Sequence, residues 1–276
     1  MACFRLTQRR ETMEYKKIHY SVENGIAQIT MDYMKNMNAI DVEMADELID
    51  ALAIAKGDTA VRTVVLAGSE KAFSAGGDIG YFYKRIQSGG EVNMDELLAK
   101  IEYLTDYMKK MDTMIVTSVS GPAAGAGVSL ALSGDFLICA DNAKFILAFV
   151  NLGLVPDTGA TFLLTRSIGV HRTLELAATG RPVSAAEAKD WGLVYKVTTP
   201  EDLHDETLKL AKRLAAGPLL SYKNIKRQVY AASFATYKEW LAQAETPAQR
   251  ECIASEDFKE GCKAFIEKRK AQFSGT

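Results

Sequence analysis

Histidine, paired cysteine and long apolar runs are all scarce in this chain, and each shortage narrows what it does. Only three histidines are present, His19, His171 and His204, which leaves little material for a Ser-His-Asp arrangement. The four cysteines, Cys3, Cys139, Cys252 and Cys262, form neither a CxxC pair nor a disulfide framework. Reduced thiols with packing roles and a cytoplasmic setting are therefore expected. No apolar stretch approaches the ~20 residues needed to cross a bilayer. The formal net charge of -2 offers no general attraction for nucleic acid or an anionic membrane, so neither is expected as a partner. No repeat of fixed period is evident. No metal and no prosthetic group are expected either.

What is present is ordinary for a folded protein: 276 residues with 48% apolar side chains suit one large domain, or a domain with an appendage. Residues 1–13 are arginine-rich and carry no apolar core of a signal peptide, and they are expected to form a disordered extension. Residues 14–199 alternate strand-like and helix-like segments. Ile18–Val22 and Ile26–Met31 flank Asn24-Gly25, a hairpin turn. Asp41 caps a helix in which Met44, Leu48, Leu52 and Ala55 recur at helical spacing. Strands are expected at Thr63–Ala67, Met114–Val119, Phe136–Ala140, near Phe145, and at Leu193–Val197. Ser184-Ala185-Ala186-Glu187 is a capping-box sequence. Residues 200–276 read as nearly all helix, with Pro218 and Pro247 at possible helix starts, and suit an oligomer contact or a lid. The fold class is α/β.

Two glycine-bearing stretches carry the chemistry. KAFSAGGDI, Lys71 to Ile79, and VSGPAAGAGVSLAL, Val119 to Leu132, each follow a β-branched apolar run. Both are rich in residues that let backbone approach a ligand. Two peptide N–H groups converging on one carbonyl oxygen would form an oxyanion hole. The plainer alternative is that Gly76-Gly77 turns a strand and Gly125-Ala126-Gly127 lets a helix pack tightly. Gly127-Val128-Ser129-Leu130-Ala131 also approaches the G-x-S-x-G elbow of serine hydrolases, with Asp157 and His171 following in the right order, but the last glycine is missing. Asp157 itself precedes the apolar run Ala160–Ile168, where it suits either an N-cap or a reactive carboxylate.

The order and spacing of Asn38-Ala39-Ile40, Phe73 to Ile79, Gly121 to Leu132, Gly153-Leu154-Val155-Pro156, Ala178-Thr179-Gly180-Arg181, Trp191-Gly192-Leu193-Val194 and the tail Glu260 to Phe273 resemble the crotonase (enoyl-CoA hydratase/isomerase) superfamily. The resemblance runs from about Tyr15 to Phe273. It implies a crotonase-like spiral of ββα turns, a C-terminal helical trimerisation region, assembly as a homotrimer or a dimer of trimers, and an acyl-coenzyme A thioester substrate. Gly77 and Ala126 would supply the two N–H groups; many relatives carry glycine at the latter position, so Ala126 must not need positive φ.

Family hydratases present two glutamates where this chain has Ser129 and Phe149, so ordinary hydration is not the expected reaction. Isomerases of the superfamily place an acid after the proline of the Gly-Leu-Val-Pro turn, which here is Asp157. The resemblance therefore implies a shift of a double bond from position 3 to position 2, with Asp157 carrying the proton. Hydration, a ring-directed isomerase or an aryl-CoA dehalogenase, and a non-catalytic acyl-CoA-binding protein remain as alternatives. By the same resemblance, coenzyme A would lie along Lys35, Asn36 and Met37, with Phe73, Ala75, Asp78 and Ile79 on the adenine side and Phe265 and Lys268 reaching in from the tail. Tyr81, Ser129 and Phe149 would line the acyl pocket.

Overall fold

The computed structural model describes residues 15–80, 87–88, 94–232, 256–257, 260, 269 and 271–276. Among the described residues the largest element is a six-stranded sheet in the order β1 (Ile18–Glu23), β2 (Ile26–Met31), β3 (Thr63–Ala67), β4 (Met114–Val119), β6 (Phe136–Ala140) and β9 (Lys196–Thr198). The hairpin of β1 (Ile18–Glu23) and β2 (Ile26–Met31) is antiparallel and in register from Ile18↔Met31 to Glu23↔Ile26. Its turn residues Asn24 and Gly25 both take positive φ, 53° and 77°, which matches the twist of a two-residue hairpin. β1 alternates buried and exposed residues as a sheet edge should, whereas β4 (Met114–Val119) is buried throughout because it runs parallel between β3 (Thr63–Ala67) and β6 (Phe136–Ala140).

A second layer takes one short segment from each turn of chain. Ile40 pairs with Gly77, Ser74 pairs with Ala123, and β5 (Pro122–Ala124), β7 (Lys144–Ile146) and β8 (Pro182–Ser184) form a three-stranded sheet. Each turn thus gives a strand to the large sheet, a segment to the small layer and then a helix, which is the expected ββα spiral. The helices are α1 (Val42–Gly57), α2 (Asp95–Lys110), α3 (Ala126–Leu132), α4 (Ala160–Ile168), α5 (Val170–Thr179), α6 (Ala185–Asp190), α7 (Leu203–Ala215) and α8 (Leu219–Ala232). Asp41 caps α1 by accepting from Met44 N at 2.9 Å, and Ser184 with Glu187 forms the expected capping box on α6. α8 begins directly after Pro218.

The last strand is displaced from its expected place. β9 covers Lys196–Thr198, because Leu193 and Val194 turn their N–H groups back to Ala188 O and close α6 after Gly192, at φ 77°. The main core lies between the sheets and α1, α2 and α3, with Met44, Leu48, Leu66, Phe73, Leu104 and Leu130 wholly buried. On the outer face of the large sheet, Val65, Met114, Val116 and Ile138 pack against Leu203, Leu210 and Leu214 of α7. The first part of the helical C-terminal region is therefore integral to the packing of the sheet. Residues 1–13 and the helix start expected at Pro247 lie outside the described residues.

Candidate active site

The two glycine stretches are strapped together by main-chain bonds. Phe73 N and Ser74 N donate to Pro122 O at 3.1 and 3.2 Å, Ala124 N donates to Ser74 O at 2.9 Å, and Ile40 N donates to Gly76 O at 2.6 Å. Gly76 takes φ 88°, and a Cβ there would stand 2.7 Å from Ala124 O, so the approach of the stretches requires glycine. Two polar side chains to which the sequence reading gave no role in the site lock this crossing. Asn38 is fully buried, with Nδ2 facing Met31 O, Ala72 O and Phe73 O while its Oδ1 accepts from Tyr33 N. Ser74 Oγ donates to Asn38 O at 2.7 Å and accepts from Gly76 N at 3.1 Å. Their local bonds, Ser74 Oγ to Gly76 N and Asn38 Oδ1 to Tyr33 N, shape the two turns, and the bonds that join the turns, Asn38 Nδ2 to Ala72 O and Phe73 O and Ser74 Oγ to Asn38 O, span more than thirty residues.

Gly77 and Ala126 face one cavity of about 90 Å³. Ala126 is the first residue of α3, so its N–H is among those that a helix start leaves without an intrahelical acceptor. Gly125 takes the positive φ at this turn, 51°, and Ala126 does not, so alanine fits there without backbone strain. Phe149 and Asp157 line the same cavity. Met94, the N-cap of α2, and Leu97, Leu98 and Ile101 within it form its apolar wall, which the sequence signals only as the apolar stripe of a helix.

Asp157 does not cap α4. The N-cap is Gly159, which has no side chain to accept a bond, and Asp157 contributes only its main-chain O to Ala160 N. Its carboxyl is half-buried beside the cavity. Burial raises its pKa above the ordinary carboxylate value, a hydrogen bond from Thr158 opposes the shift, and the negative charge of Glu102 on α2 adds to it. A carboxyl so placed holds a proton more readily than a solvated one.

Ser129 is not a pocket residue. It is fully buried behind Asp157, with its Oγ 3.3 Å from Asp157 O and 2.8 Å from Thr158 Oγ1, because the face of α3 that carries it points into the protein. His171 lies on the exposed side of α5, and a serine without solvent access cannot serve a hydrolase. Phe73 is likewise corrected as a coenzyme contact: its ring is wholly in the core. The remaining loop residues do come together. Asn36 Nδ2 meets Asp78 Oδ2 at 3.4 Å, Ala75 N donates to Met37 O at 3.0 Å, and Lys35, Met37, Ala75 and Ile79 are exposed on this strip. Ala75 and Ile79 also border the cavity, so strip and cavity are continuous. Tyr81, Phe265 and Lys268 lie outside the described residues. Among the described residues no cluster of three or more His, Cys, Asp or Glu is placed to hold a metal, and no helix is long and apolar enough to cross a membrane.

A spiral of ββα turns whose two glycine crossings and one carboxyl meet at a small apolar cavity defines the crotonase class of protein. Residues 21–276 match the family model described as enoyl-CoA hydratase/isomerase, and the chain belongs to that family. It is 36% identical over 263 residues to the trans-2-decenoyl-[acyl-carrier-protein] isomerase of Streptococcus mutans, an alignment covering 95% of this chain and 100% of that protein. It is 34% identical to the mitochondrial enoyl-CoA hydratase of Pongo abelii, covering 91% and 84% of the two chains. The crystal structure of an enoyl-CoA hydratase from Bacillus anthracis superposes with a TM-score of 0.87 at 28% identity, covering 95% of this chain and 100% of that one. The protein is a crotonase-type acyl-CoA enzyme, and its relatives divide between isomerases and hydratases.

Proposed function

We propose that the enzyme moves the double bond of a 3-enoyl-CoA to position 2. Asp157 removes a proton from C2, the C3–C4 π electrons and the C2–H pair rearrange through a thioester enolate, and the same carboxyl delivers the proton to C4. Gly77 and Ala126 N–H groups receive the enolate oxygen. Fixed donors of this kind need no reorganisation as charge develops. The observation that carries the reading is that Asp157 borders the cavity shared by Gly77 and Ala126; the family resemblance adds that Ser129 and Phe149 would take the places of the two hydratase glutamates. A single carboxyl suffices for a proton shuttle, whereas adding water requires one group to activate the water and another to supply a proton. The raised proton affinity of Asp157 suits a group that must both take and return a proton.

Coenzyme A is proposed to lie along the strip of Lys35, Asn36, Met37, Ala75, Asp78 and Ile79, which leads into the cavity. Assembly as a homotrimer or a dimer of trimers belongs to the same reading, and native mass spectrometry checks it. The deciding experiment supplies 3-enoyl-CoA and, separately, 2-enoyl-CoA in water, and follows the conjugated thioester spectroscopically. Growth of conjugation from the first with little loss from the second is expected. Rapid loss of the 2-enoyl absorbance by hydration would overturn the isomerase reading in favour of a hydratase.

A further inference from the structure

Thr158 is the most strained residue at the site. It is β-branched, 3% exposed, and held at φ 51°, in the left-handed region where such side chains are genuine outliers. A conformation of this kind persists where surrounding structure enforces it, and it occurs preferentially at functional sites. The next residue, Gly159, also takes positive φ, 92°, so the turn suits glycine, yet a threonine occupies its first position. Its hydroxyl explains the choice. Thr158 Oγ1 stands 3.1 Å from Asp157 Oδ1 and 2.8 Å from Ser129 Oγ.

We infer that Thr158 is a positioning residue for Asp157, tying Oδ1 so that Oδ2 is the oxygen that exchanges the proton with substrate. The inference rests on the isomerase reading of Asp157 for its role in catalysis, but not for the tether itself. The hydroxyl has one proton to give. While the carboxylate is ionised it only accepts, so Thr158 donates to Oδ1, sharing its proton with Ser129 Oγ, whose own proton points to Asp157 O. When Oδ2 carries the proton, Oδ1 is a carbonyl oxygen and still accepts from Thr158, so the tether holds in both states of the shuttle. Ser129 is the buried neighbour of this pair, accepting from Thr158 Oγ1 and donating to Asp157 O, so both ends of the Asp157–Thr158 turn are held to α3. Glu102 is the charged side chain among the described residues that bears on Asp157, and it acts against ionisation while Thr158 acts for it.

Three variants separate the hydroxyl from the strain. Thr158→Val keeps the shape and the strained backbone without the donor, Thr158→Gly removes both donor and strain, and Thr158→Ser keeps the donor. Two measurements are made on each: the pH profile of kcat with 3-enoyl-CoA, and the titration of the Asp157 carboxyl by ¹³C NMR, assigned through its loss in Asp157→Asn. The valine and glycine variants should lose roughly tenfold to a hundredfold in kcat with little change in KM, as for a lost hydrogen bond to a charged group. In both, the acid limb of the profile and the carboxyl titration should move to higher pH, while the serine variant stays near wild type. An Asp157 carboxyl that titrates at one pH in wild type, valine and glycine variants alike would overturn the inference. Should wild type turn over no enoyl thioester, the isomerase reading falls, and the carboxyl titration still decides for or against the tether.

Discussion

Two aspartates lie on either side of α3, and their surroundings differ in the supply of donors. Asp135, with a side chain 7% exposed, accepts from Lys226 Nζ at 2.9 Å, Ile115 N at 2.8 Å and Tyr230 OH at 2.6 Å. Lys226 is itself saturated, donating also to Met108 O and Thr113 O, and Lys109 reaches Tyr230 OH, Leu132 O and Gly134 O. Burial pushes Lys109 down to about 8 and also lowers Lys226. Asp157 is less buried, yet among the described residues its carboxyl has only the Thr158 hydroxyl as a side-chain donor and faces an apolar wall. A carboxylate surrounded by donors is committed to holding elements together, here α8 to the end of β4. One given few donors keeps a lone pair available and a proton affinity above the usual range. The more buried carboxyl is the better supplied, so the donors and not the depth of burial set the two roles apart.

The largest expected effect tests the reactive side of that contrast. Asp157→Ala should lower double-bond migration by about 10²–10⁴-fold, the usual contribution of a general base, with coenzyme A affinity little changed. Stopped-flow absorbance of the conjugated thioester measures it, and turnover at the wild-type rate would remove Asp157 from the mechanism. The structural side comes next. Asp135→Ala strands the Lys226 ammonium in the interior and should cost about 3–5 kcal/mol of stability, read from urea denaturation. Little loss would mean that α8 is held by something other than this cluster.

The smallest effect is a difference in sign. The folded-state pKa of Asp157 is raised, so the native protein binds the extra proton between the unfolded and folded values, and stability falls as pH rises through that window. Asp157→Asn, which never ionises, should therefore melt slightly above wild type at pH 7 and lose that advantage in acid. Differential scanning calorimetry at the two pH values gives the answer, and an Asn variant less stable at pH 7 would show that the charge is welcome where it lies. In wild type, the rate should fall as pH drops through the raised Asp157 value.

Much of the molecule was legible in advance where a local rule applied. The Asn24-Gly25 turn, the Asp41 cap, the Ser184–Glu187 box and the buried strands were each set by a few adjacent residues, and they appear as expected. Local reading failed where distant chain competed. Leu193 and Val194 have strand-forming side chains, but their N–H groups went to Ala188 O. Phe73 had the look of a ligand contact until the core enclosed it, and Ser129 looked like a pocket residue until α3 turned it inward. The cap reading of Asp157 lost to Gly159 by two residues, a margin that φ angles decide and composition does not.

The sequence by itself determined the two glycine stretches, the family, and the acid at Asp157 beyond the Gly-Leu-Val-Pro turn, because each is a matter of which residue stands where. Only the tertiary structure decided that Gly77, Ala126 and Asp157 share one cavity, that Asp135 is saturated with donors while Asp157 is not, and that Thr158 is strained into contact with the carboxyl. Those are properties of distance and solvation. They arise when segments distant in the chain, up to 95 residues apart for Asp135 and Tyr230, are packed against each other and water is excluded between them.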